Sequence, residues 1–124
     1  MDLKIGLENE LEIIVTPKDT AKAYGSGMVE VFATPAMIAL MEKTALQLAI
    51  PFLPKGQNTV GTEVCVKHIK ATLLGKRVQS YAKLIEINDK KLTFQVEAYD
   101  DKGLIGTGTH KRYIIDEIAF MNNL

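Results

Sequence analysis

Between positions 7 and 16 the chain alternates, with Leu7, Leu11, Ile13 and Val15 on one side and Glu8, Glu10, Glu12 and Ile14 on the other. A period near two predicts a strand with one buried face, ended by Pro17. Residues 19–23 can form one helical turn, after which Tyr24-Gly25-Ser26-Gly27 interrupts regular structure through its glycines. From position 34 to about 49 the pattern is different. Glu42, Lys43, Thr44 and Gln47 are the main polar interruptions of an apolar run, which predicts a mostly buried helix halted by Pro51 and Pro54. Pro35 suits the first helical position, where its missing N–H costs no hydrogen bond, and Thr34 is a residue type that caps free amides.

Beyond Gly56 the period of two returns, and strands are expected over about 59–70, 77–87, 92–99 and 104–115. The segments Leu-Leu-Gly-Lys, Asn-Asp-Lys and Asp-Asp-Lys-Gly between them are expected as tight turns joining antiparallel neighbours. One strand, one long apolar helix and four strands make an α+β chain. The helix can be covered only if an antiparallel sheet of about five strands wraps around it, which is the hotdog fold. A length of 124 residues is enough for one core, so a single domain over residues 1–124 is expected.

Composition changes this picture little. Hydrophobic residues at 47% and charged residues at 24% are those of an ordinary globular protein. Fifteen basic residues balance fifteen acidic ones, and no basic run offers a footprint for nucleic acid. A few local cations could still hold a nucleotide carrier. Cys65 is alone, so no disulfide within the chain is expected. The acidic residues among the first twelve break any signal-peptide pattern, and no run approaches the roughly 20 apolar residues of a membrane span. A cytoplasmic protein without a membrane partner is expected.

Three residues stand out chemically. The helical neighbours of Glu42 at three and four positions are Ile38, Ala39, Ala45 and Leu46, so its carboxylate is expected to emerge from an apolar face. A buried carboxylate is a candidate base or nucleophile, or else half of a structural ion pair. His68 should share a strand face with Val60, Thr62, Val64 and Val66, as a core histidine or as an acid or base near neutral pH. Thr34 reads as a helix cap or as a hydroxyl beside an anion-friendly helix start. Cys65 and His68, three apart on a strand, point to opposite faces, which disfavours a Cys–His nucleophile. The two histidines and one cysteine offer no metal cluster, and no Gly-rich phosphate loop is present.

The stretches Val31-Phe32-Ala33-Thr34-Pro35-Ala36-Met37-Ile38-Ala39-Leu40-Met41-Glu42, Gly61-Thr62-Glu63-Val64-Cys65-Val66-Lys67-His68 and Gly106-Thr107-Gly108-Thr109-His110-Lys111-Arg112 closely resemble the fluoroacetyl-CoA thioesterase-like family of hotdog proteins. The similarity runs in order over most of the chain. It implies an acyl-CoA thioesterase with Thr34, Glu42 and His68 as its catalytic set, Gly61 offering backbone near the acyl group, and Arg112 near the CoA-binding region. Strand packing for Gly61 and a solvated arginine for Arg112 are their plain alternatives. No cofactor is implied beyond the CoA carried by the substrate. The chain departs from the family where fluoroacetyl-selective members carry lid phenylalanines, since Gly25-Ser26-Gly27-Met28 stands there. That argues against fluoroacetyl selectivity.

Glu42 is expected to attack the thioester carbonyl or to activate water, with His68 as acid or base and Thr34 orienting the substrate or stabilising the oxyanion. Eight helical residues span about 12 Å, so Thr34 and Glu42 of one chain should not touch. A homodimer with a site built from two chains is therefore expected, with higher assembly left open. A hydratase or dehydratase of acyl thioesters, and a non-catalytic acyl or small-molecule binding module, are the competing readings.

Overall fold

The computed structural model describes residues 2–124. The polar–apolar alternation of strand β1 (Glu8–Ile14) becomes an alternation of exposed and half-buried positions, with Asn9, Leu11 and Ile13 turned inward. A short 3-10 turn (Pro17–Asp19) and a one-turn helix α1 (Ala21–Tyr24) follow, the latter capped by Gly25 in the left-handed region at φ 72°. The long helix α2 (Thr34–Ala49) continues into a 3-10 turn at Ile50–Phe52. Strands β2 (Gln57–His68), β3 (Arg77–Asn88), β4 (Lys91–Asp100) and β5 (Gly103–Asp116) complete one sheet. A terminal helix α3 (Glu117–Asn122), not anticipated from the sequence, is capped by Asp116.

The sheet order is β1-β3-β4-β5-β2, with antiparallel pairing throughout. The β3–β4 and β4–β5 connections are hairpins, as expected. The Leu-Leu-Gly-Lys segment is not, because β2 lies at one edge of the sheet and β3 beside the other. A crossover joins them, held by Phe32 N–H donating to the Thr72 carbonyl at 2.8 Å and by the Val31–Leu73 bridge.

The sheet wraps α2. Met37, Leu40, Met41 and Ala45 of the helix pack with Val78, Leu84, Phe94 and Val96 of the sheet, each of these side chains larger than alanine contributing on the order of 1.5–3 kcal/mol. Close wrapping requires two glycines of β5. A methyl on Gly106 would strike the Met37 sulfur, and one on Gly108 would strike the backbone of Cys65 and Val66. This is the hotdog arrangement, with the strip of α2 around Ile38, Glu42 and Leu46 left partly open rather than covered by the sheet.

One expectation about β2 needs correction. Its pairing with β5 shifts between Gly61 and Glu63, so the period of two is broken at Thr62. Gly61 pairs with the inward Arg112, and Val64, Val66 and His68 pair with the inward His110, Gly108 and Gly106. His68 does face inward. Val60 and Thr62 do not share its face, because the extra residue reverses the alternation.

Candidate active site

Thr34 begins α2, yet it does not cap it. The cap position belongs to Ala33, which offers no side-chain oxygen. The Thr34 hydroxyl instead lies 2.8 Å from Nδ1 of His68 at the end of β2. Phe32 stands edge-on to the imidazole with ring centroids 6.4 Å apart. Burial lowers the His68 pKa from its ordinary value, partly opposed by the Lys70 backbone, so the ring is neutral at pH 7. Its Nε2 is buried and has no hydrogen-bond partner among the described residues. A buried ring nitrogen left unpaired is costly, and His68 is also among the residues lining an open pocket of about 410 Å³.

That cavity is walled by Thr34, Pro35, Phe32, His68 and Ser26 among others. Ser26 is the small residue that the Gly25–Met28 segment contributes, while Met28 points to solvent at 92% exposure. Lys70 also borders the cavity, with its ammonium donating at 2.8 Å to both carboxylate oxygens of Asp100. Thr72 and the Lys102 amide donate to the same carboxylate.

Glu42 belongs to a second cluster. It is less buried than its apolar neighbours suggested, its side chain retaining 39% exposure in the single chain. It also has a partner: Arg112 Nη1 lies 3.9 Å from Oε2 in a long ion pair. Arg112 is no solvated arginine. It is 6% exposed and donates through Nε to the Thr59 hydroxyl at 2.7 Å and through Nη2 to the Thr59 carbonyl at 3.0 Å. Nη1 also meets Nε2 of His110 at 3.1 Å. Gly61 fits against the same carboxylate, for a methyl there would sit 2.8 Å from Glu42 Oε2.

His110 and Thr59 are the members of this cluster that the sequence reading passed over. The signal was available, since Gly106, Gly108, His110 and Arg112 alternate along β5 and so share one face. His110 is 1% exposed, and its Nδ1 lies 2.8 Å from the Glu63 carbonyl. A carbonyl only accepts, so Nδ1 carries the proton and the neutral ring offers Nε2 as acceptor to Arg112. Burial and the neighbouring guanidinium hold the His110 pKa below its ordinary value, against the opposing pull of the Glu63 carbonyl and Glu42.

The fold thus brings Thr34 to His68, and Glu42 to Gly61 and Arg112, as two groupings on one chain. Eight residues of helix, about 12 Å, separate Thr34 from Glu42. The seven residue steps of β2 from Gly61 to His68 span roughly 20 Å. Cys65 is exposed and remote in direction from His68. Among the described residues no three of His, Cys, Asp and Glu gather as metal ligands, and no helix is long and apolar enough to cross a membrane.

Comparison with known proteins adds an independent line. The family described as fluoroacetyl-CoA-specific thioesterase FlK matches residues 15–118. A fluoroacetyl-CoA thioesterase of Streptantibioticus cattleyicolor is 40% identical over 86 residues, a match that covers 69% of this chain and 62% of that relative's length. The solved structure of the fluoroacetyl-CoA thioesterase FlK superposes with a TM-score of 0.92 at 31% identity, covering 99% of this chain and 96% of that one. A Thermus thermophilus hypothetical protein described as a thioesterase superfamily member gives 0.89 at 30% identity, covering 97% and 89%.

Proposed function

The chain belongs to the fluoroacetyl-CoA-specific thioesterase family, and from that membership we propose that it hydrolyses a small acyl-CoA thioester to the free acid and CoA. The observation that carries the reading is the Thr34–His68 contact of 2.8 Å at the wall of a cavity, with the second imidazole nitrogen buried and unpaired. A hydroxyl held by a neutral imidazole is a proton-handling pair. In the proposed reaction Glu42 either attacks the carbonyl to give an anhydride that water then hydrolyses, or takes the proton of an attacking water; Thr34 orients the acyl oxygen, and His68 relays a proton to the leaving thiolate and recovers it from the water consumed. Gly61 leaves room for the acyl group beside the carboxylate, and Arg112 holds that carboxylate by charge.

The separation of the two groupings supports a dimer. Strand β2 is a sheet edge, with β5 on one side only. If two β2 edges pair antiparallel so that position 61 of one chain faces position 68 of the other, Glu42 and Gly61 of one subunit meet Thr34 and His68 of its partner. The half-open strip of α2 at Ile38, Glu42 and Leu46 is covered in the same step.

The Thr34–His68 pair also favours a second mechanism, in which Thr34 is the nucleophile activated by His68. Brief acyl-CoA exposure followed by acid quench and peptide mass mapping separates the two. Acyl on Thr34 supports the second, a Glu42 anhydride or no adduct the first. The activity itself is tested by free-thiol release from a panel of short acyl-CoAs. A hydratase alters the acyl group without releasing thiol and a binding module does neither, so either result ends the thioesterase reading. With Gly25-Ser26-Gly27-Met28 in place of the phenylalanines of fluoroacetyl-selective members, no selectivity for fluoroacetyl is expected, and the panel identifies the acyl group.

A further inference from the structure

Buried beneath Glu42, His110 takes no part in the reaction just described, yet each of its ring nitrogens is committed. Nδ1 donates to the Glu63 carbonyl at 2.8 Å, at the β2 register shift. Nε2 accepts from Arg112 Nη1 at 3.1 Å. Phe94 stacks along the ring with centroids 6.3 Å apart and planes at 29°, fixing its plane. Thr59 secures Arg112 through Nε and Nη2, and His110 secures Nη1. With those contacts made, the guanidinium is fixed in plane and in rotation, and Nη1 is presented to Glu42 Oε2.

We propose that His110 is a positioning residue for Glu42, acting through Arg112, and that the pair must keep His110 neutral to work. The inference rests on the reading of Glu42 as a reacting group. Protonation of His110 would turn its Nε2 from acceptor to donor against a cation, expelling the guanidinium from the place where it steadies the carboxylate. The charged side chains that face the ring are Arg112 from β5 and Glu42 from α2. Strand β4 presents Phe94, and β2 presents the carbonyl of Glu63. Lys111, the neighbour of His110 in sequence, lies on the opposite face of the sheet, 3.6 Å from the Glu63 carboxylate. The site therefore carries an acid-sensitive device one layer behind its carboxylate.

The test compares His110→Asn with His110→Gln. Asn can place its amide N–H near the Glu63 carbonyl but offers nothing to Arg112. Gln can place an oxygen where Nε2 lies and cannot be protonated. His110→Asn is expected to lower kcat about ten-fold with KM little changed, the scale of one hydrogen bond to a charged group. His110→Gln is expected to stay within about two-fold of the parent at neutral pH and to extend the acid limb of the kcat profile to lower pH. Parent-like kcat in the Asn variant, equal losses in both variants, or an unmoved acid limb in the Gln variant would each overturn the proposal. Nitrogen-15 NMR of the resting parent protein tests it without turnover. The Nδ1–H tautomer is expected, and an Nε2–H tautomer would overturn the proposal even if thioesters are hydrolysed. If no acyl-CoA is hydrolysed, the functional reading fails instead, and the tautomer together with the Arg112 guanidinium resonances, which should move in His110→Asn and hold in His110→Gln, still decides the positioning role.

Discussion

The hydroxyl of Thr34 lies 2.8 Å from Nδ1 of His68, although the residues are 34 positions apart and come from opposite kinds of element, a helix start and a strand end. Since Ala33 holds the cap position, this hydroxyl contributes nothing to the helix terminus. Thr34→Val, which keeps shape and removes the oxygen, should therefore leave the thermal midpoint nearly unchanged while lowering turnover at least about ten-fold. Thr34→Ser should restore much of the rate. A fall in midpoint that corresponds to the roughly 1 kcal/mol of stability typical of a lost cap would return Thr34 to its plain role.

Glu42→Gln retains the size of the side chain and removes its charge. Turnover should be abolished, with circular dichroism and oligomeric state unchanged. Near-parental activity in this variant would refute the assignment of Glu42.

Gly61 and Gly108 are both strand glycines with different obligations. A methyl on Gly61 meets the flexible end of Glu42 and should displace the carboxylate, costing activity more than stability. A methyl on Gly108 meets the backbone of Cys65 and Val66, which cannot move without disturbing the β2–β5 pairing. Gly108→Ala should cost several kcal/mol, on the order of 2–4, measured by urea denaturation. Equal destabilisation by the two substitutions would contradict this division.

Both histidines are held below the ordinary imidazole value of 6.5, chiefly by burial. The unfolded chain takes up protons near that value, while the native chain resists them until lower pH. Stability from this source is thus complete above about pH 6.5 and is lost as the pH falls through the lowered native values. The thermal midpoint should decline from about pH 7 towards pH 5, and His110→Gln should flatten that slope. A midpoint that rises on acidification would reverse the sign and sink the argument.

The proposed two-chain site makes activity depend on association. Leu46→Lys places a charge on the half-open strip of α2, away from the Thr34–His68 pair. It should yield a folded, inactive monomer by sedimentation. A monomer that retains parental turnover would show that one chain suffices.

The sequence by itself determined the five strands, the long helix and their layering, though not the terminal helix α3. Alternation in β1 and β4, the apolar run between Pro35 and Pro51, and turn residues at Asp89 and Asp101 are local signals, and each acts over a few residues with a fixed period. The same signals marked Glu42 as a carboxylate among apolar neighbours and His68 as inward-facing. Tertiary structure decided the rest, because it depends on contacts between residues far apart in the chain. The bulge at Thr62 resets which β2 side chains look inward, and the β2–β3 crossover replaces the expected hairpin. Burial converts Arg112 from a surface charge into the fixed neighbour of Glu42, with His110 behind it. Thr34 shows the difference most simply: its place at the helix start was legible in the sequence, while its partner was chosen by the curl of the sheet that carries the end of β2 back to it.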